Sequence, residues 1–210
     1  MTRAAIAIAI VLLWASSPAG AHGLDEYVQA LRVGVSRDGV SLTLGLTPGV
    51  AIAAGLIARV DSDGDGAISP DEAGRYGQAV LGDLEVRLDG APLSFQLVRV
   101  DVPPAGEMRD GIGTIRMEAT GPASARSGRH VIVVRNAHRP VPSSYLANAL
   151  LPEDEAIRVL RQERDATQQT YTLSFEIGGD RAKAVGWMLG GAGLLLVHAG
   201  WRRRRTASVS

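Results

Sequence analysis

The chain has 210 residues and 46 % apolar content, enough for one domain with a real core plus terminal segments; aromatics are only 4 %, so that core is built from Val, Leu, Ile and Ala. There is no cysteine, which excludes disulfides, thiolate zinc sites and a cysteine nucleophile. The formal net charge of zero is unevenly spread: His22 to Asp180 holds 22 acidic residues against 15 arginines, net −7, which argues against a nucleic-acid partner.

In chain order, the first 21 residues read as a secretory signal. Arg3 supplies the basic start, Ala4 to Trp14 the apolar region, and Ala19-Gly20-Ala21 the small-x-small cleavage site, leaving His22 as first mature residue. A mature N-terminal His offers an amine and an imidazole to copper or nickel, with His130 or His138 as a further nitrogen donor.

Strand alternation follows. Val28 to Val35, a turn at Arg37-Asp38-Gly39, and Val40 to Leu46 form a hairpin. Ile52, Leu56, Ile57 and Val60 then recur at helical spacing. The next twelve residues, 61–72, read DSDGDGAISPDE. Asp61, Asp63 and Asp65 offer oxygens at loop positions 1, 3 and 5, and Gly66 permits a sharp turn at position 6. Ala67 offers its carbonyl, Ile68 an apolar plug, Ser69 a ligand through water, and Glu72 a bidentate carboxylate at position 12. Calcium, a hard cation that takes six to eight oxygens, is the cofactor this set predicts. Pro70 and Asp71 suit a helix start, and Tyr76, Ala79, Val80 and Leu84 continue the period. Gly55, Gly74 and Gly77 weaken both helices relative to alanine.

Residues 49–84 resemble the EF-hand superfamily. With no second loop to pair with, the hand is expected to bind calcium weakly, in the ~10⁻⁴–10⁻³ M range of extracellular modules.

Beyond the hand, Leu84, Val86 and Leu88 alternate up to Asp89-Gly90. Leu93 to Val102, Thr114 to Ala119, His130 to Arg135 and Tyr171 to Ile177 are further predicted strands. Residues 143–164 are ambiguous; a strand is preferred for Glu153 to Arg164. Seven or eight short strands predict a mainly β fold, an Ig-like β-sandwich with the helix–loop–helix inserted between its second and third strands.

The C-terminal run Ala184 to Trp201 holds no acid or fixed base. At ~1.5 Å per residue its length is about 27 Å, enough for one membrane span. Arg202 to Arg205 would stay cytoplasmic, placing the body in the periplasm or cell exterior. The predicted organisation is thus signal peptide 1–21, exported domain 22–180, transmembrane helix 184–201 and basic tail 202–210. Gly178-Gly179, the span and the arginines also resemble a bacterial C-terminal sorting signal.

His22-Gly23-Leu24, the hairpin 28–46, the loop 61–72 and LEVRLDG at 84–90 are similar, in order, to the exported segment of bacterial nickel/cobalt efflux permeases and hydrogenase/urease-accessory-type membrane proteins. Gly23 stands where that family has Pro, and the multi-helix permease is missing. The resemblance implies an exported accessory module partnered with a metal-transport membrane protein; with the N-terminal chelate it gives the alternative of an accessory domain for nickel, cobalt or copper transport in which His22 is a ligand.

No enzyme motif is found: there is no G-x-S-x-G, H-E-x-x-H or P-loop. Arg135 and Arg139, around Asn136 and His138, suit either an anion or simply the basic end of a strand.

Overall fold

A computed structural model describes residues 25–179. The predicted signal peptide, His22, the apolar run from Ala184 and the arginine tail lie outside the described residues. Among the described residues no helix is long and apolar enough to cross a membrane.

The fold is mainly β, with two five-stranded sheets sharing one core. The strands are β1 (Tyr27–Val35), β2 (Gly39–Pro48), β3 (Leu84–Leu88), β4 (Ala91–Pro92), β5 (Gln96–Asp101), β6 (Ile115–Pro122), β7 (Gly128–Asn136), β8 (Ser143–Ala149), β9 (Ile157–Arg164) and β10 (Thr170–Ile177). The helices are α1 (Val50–Val60), α2 (Pro70–Gly82) and the short α3 (Ala105–Arg109). One sheet runs β5-β6-β2-β1-β8 and the other β4-β3-β7-β10-β9. All pairings are antiparallel except β1 with β8.

Alternation decides which face is inside. On β10, Tyr171, Leu173, Phe175 and Ile177 are buried while their neighbours are partly exposed. On β2, Val40, Leu42, Leu44 and Leu46 do the same. These side chains meet in one cluster with Met117, Ile132 and Val134, and each contributes about 1.5–3 kcal/mol by leaving water.

The structure departs from the sequence expectation in four places. The run Leu93 to Val102 forms a strand only from Gln96 to Asp101, as β5, and the two-residue strand β4 precedes it. β4 pairs with β3 through a tight turn whose central residues Asp89 and Gly90 have φ of 51° and 82°, and the chain then crosses to the other sheet as β5. With β4, and with β8 in the ambiguous stretch 143–164, the described residues form ten strands where seven or eight were expected. The inward residues of β1 are Tyr27, Gln29, Leu31, Val33 and Val35, so Val28 and Ala30 face the other way. On α2 the buried stripe is Glu72, Ala73, Tyr76, Gly77 and Val80; Ala79 points outward and Leu84 belongs to β3. The strand preferred over Glu153 to Arg164 forms as β9, beginning at Ile157.

Helices α1 and α2 stand between β2 and β3, at the predicted insertion point. α1 buries Ala53, Leu56, Ile57 and Val60, the i, i+3, i+4, i+7 stripe of a surface helix. α2 packs on β5 through Gly77. A Cβ there would stand 2.5 Å from a Val100 methyl and 3.0 Å from one of Leu97. Gly77 is thus the close-approach point of α2, whereas Gly55 and Gly74 have nothing within 4 Å of the same position.

Candidate metal centre

The loop 61–72 joins α1 to α2 and is ordered by its own side chains. Asp61, the C-cap of α1, accepts from the N–H of Gly64 and of Gly66, both at 2.9 Å. Asp63 accepts from the Asp65 N–H at 3.2 Å, and Asp65 from the Ala67 N–H at 2.8 Å. Successive Asx turns of this kind curl the backbone around the carboxylates. Gly66, at φ 88°, supplies the left-handed turn that a Cβ would disfavour.

As a result Asp61, Asp63 and Asp65 each place one carboxylate oxygen within 4.8 Å of the other two. Asp61 is buried, while Asp63 and Asp65 are exposed. At that separation two unit charges repel by roughly 1 kcal/mol in bulk water and by more where water is excluded. Three oxygens of this kind suit a hard cation, and carboxylate lone pairs remain beyond those used by the N–H donors.

Glu72 is not part of that cluster. It is 2 % exposed, and both of its oxygens are taken. Oε1 accepts from the Ser62 N–H at 2.6 Å, the Ser62 hydroxyl at 2.9 Å and the Asp63 N–H at 3.3 Å. Oε2 accepts from the Ser69 N–H at 3.0 Å and its hydroxyl at 2.9 Å. Ser69 in turn accepts from the Glu72 N–H, so the two residues form a capping box at the start of α2. The Ser69 donors first, and those of Ser62 next, hold the Glu72 carboxyl at about 2, against the rise that burial would cause. Ser69 therefore serves as helix cap, and Glu72 ties the first residues of the loop to its last. The S-x-x-E spacing at 69–72 is the sequence signal for this second role. Ala67 donates its N–H to Asp65, and Ile68 packs against the core beneath the loop.

Behind α2 lies a buried polar chain that no local pattern announces. The Tyr27 and Tyr76 hydroxyls are 2.8 Å apart, and Tyr76 Oη is 3.2 Å from His138 Nε2. His138 Nδ1 is 2.8 Å from Asp83 Oδ2. In the tautomer whose Nδ1–H donates to Asp83, Nε2 accepts from Tyr76, which accepts from Tyr27. Burial pushes the Tyr76 phenol up to about 12 and that of Tyr27 well above its ordinary value. Gln29 donates to the His138 carbonyl and accepts from Asn136, which explains a polar residue at an inward β1 position. The exit helix of the loop is thereby pinned to β1 and to the segment after β7.

The other histidine is also engaged. His130 Nδ1 is 2.7 Å from Asp89 and Nε2 is 2.7 Å from the Arg126 carbonyl. The Asp89 hydrogen bond is the main cause raising its pKa. His130 lies near one end of β7 and His138 two residues past the other. At ~3.3 Å per residue they are roughly 20 Å or more apart, too far to share an ion. Gly178 ends β10 with its N–H on the Ala156 carbonyl and its own carbonyl bonded to Arg37.

No protein-family model, curated protein or solved structure gives a significant match to the chain.

Proposed function

We propose that residues 61–72 are an EF-hand loop that binds one calcium ion, within a non-enzymatic module tethered to the membrane and facing the periplasm or cell exterior. Support comes above all from the convergence of Asp61, Asp63 and Asp65 within 4.8 Å, at the turn that Gly66 permits. The residues that would hold the ion are Asp61, Asp63 and Asp65, the Ala67 carbonyl, Ser69 through water, and Glu72, the last by exchanging bonds to Ser62 and Ser69 for the ion. Its chemistry there is charge neutralisation, which lets the clustered carboxylates stay together. Because α1 and α2 are both anchored in the core, a bound ion would reinforce an angle that packing on the sheets already holds. The Ig-like description of the two sheets, the signal peptide over 1–21 and the span over 184–201 belong to the same proposal, the last two on the sequence alone.

The test is thermal melting with and without millimolar calcium. The wild type gains stability with calcium, and Asp61→Ala and Glu72→Gln each abolish that gain. Equal wild-type melting in both conditions removes the calcium reading.

A further inference from the structure

Between the loop, α2 and the turn that follows β7 lies an open cleft of about 500 Å³. Three arginines line it: Arg59 from the last turn of α1, Arg75 from α2, and Arg139 from the segment after β7. Its floor includes the buried rings of Tyr76 and His138. We propose that this cleft is a binding site for an oxyanion, a carboxylate- or phosphate-bearing ligand, held by the guanidinium groups of Arg59, Arg75 and Arg139. This inference does not depend on calcium occupying the loop.

Charge distribution is the first support. The stretch from His22 to Asp180 is net negative, yet three of its fifteen arginines come together here from three separate segments. Two carboxylates share the cleft, and both already have partners within the protein. Glu72 is surrounded by the donors of Ser62, Asp63 and Ser69, and Asp83 accepts from His138. Among the described residues neither Arg59 nor Arg139 forms an ion pair, whereas Arg37, Arg87, Arg99, Arg158 and Arg161 all do. Arg75 is oriented by a 2.9 Å bond to the Ser62 hydroxyl and lies 3.9 Å from Glu72.

Geometry is the second support. A concave wall of low dielectric focuses the field of charges at its rim. Planar guanidinium forks match the two-oxygen edge of a carboxylate or phosphate better than a lysine would. The buried chain through Tyr76 and His138 fixes the floor, so a ligand meets a preformed surface.

The experiment is calorimetric titration of the purified full-length chain with inorganic phosphate and with citrate. It is run at matched ionic strength and without calcium, which both probes bind. Saturable uptake of at least one probe is expected. The double variant Arg59→Ala/Arg139→Ala, which breaks no ion pair, should weaken it at least tenfold, and Arg161→Ala on β9 should leave it unchanged. Uptake of phosphate alone points to a phosphorylated ligand, citrate alone to a carboxylate, and both to a site that reads the shared oxyanion. No saturable heat with either probe overturns the site, as does equal uptake by the double variant.

Discussion

The two halves of the loop are built by different forces. In the first half Asp61, Asp63 and Asp65 bend the backbone with their own oxygens, and two of the three stand in solvent. In the second half Ser69 and Glu72 are locked by a capping box, and Glu72 is almost fully buried. From Glu72 onward the chain continues into a helix pinned by Tyr76, His138 and the close approach of Gly77 to β5. Ordinary folding forces thus preform the exit side of the loop, while the entry side groups like charges that its own N–H donors offset in part and that the proposed cation would offset further. Stability should be sensitive to changes on the exit side, and calcium response to changes on either.

The largest effect is expected where the exit helix is anchored. Tyr76→Phe leaves the buried Tyr27 hydroxyl and His138 Nε2 without their shared partner and should cost about 1–3 kcal/mol, read as a fall in the denaturant midpoint. A loss below about 0.5 kcal/mol would mean that the polar chain does not hold α2. Next is Gly77→Ala. Helix propensity alone predicts a gain of about 1 kcal/mol. Overpacking against Val100 and Leu97 costs about 1–3 kcal/mol, so a net loss is expected, whereas Gly74→Ala in open space should gain up to about 1 kcal/mol. Equal gains at both positions would show that β5 yields freely.

The third effect concerns acid. The Glu72 carboxyl titrates at about 2 in the fold and near 4.5 in an unfolded chain. Its contribution is therefore present above pH 4.5 and lost as pH falls through about 2. Glu72→Gln should flatten the melting-temperature profile across that window in calcium-free buffer; an unchanged slope would assign the acid sensitivity to other carboxylates.

Most of the helix–loop–helix was legible from sequence because its determinants are local. Twelve consecutive residues specify the loop, and the apolar stripe of α1 and the Pro70 start of α2 fix the helices on either side. The strands with clean alternation were equally readable. What escaped depends on distant partners. Tyr27 and Tyr76 lie 49 residues apart and Tyr76 and His138 62 apart, so nothing in their neighbourhoods marks them as a chain. Gly77 reads as a helix weakness until β5 is seen against it. β4 escaped because its two residues, Ala91 and Pro92, are too few to show an alternation. α3 has only five residues, with Met108 its one buried side chain. Arg135 and Arg139 were legible as candidate anion contacts, but the cleft joins Arg139 to Arg59 and Arg75 from the helical insert, and Arg135 does not line it.

The central statement is that one calcium ion resolves the crowding of Asp61, Asp63 and Asp65. Calorimetric calcium titration of the purified chain measures it directly. A single saturable site with Kd of ~10⁻⁴–10⁻³ M is expected, absent in Asp63→Ala, which should melt like the wild type without calcium. No heat of calcium uptake up to several millimolar, or undiminished uptake by Asp63→Ala, would contradict it.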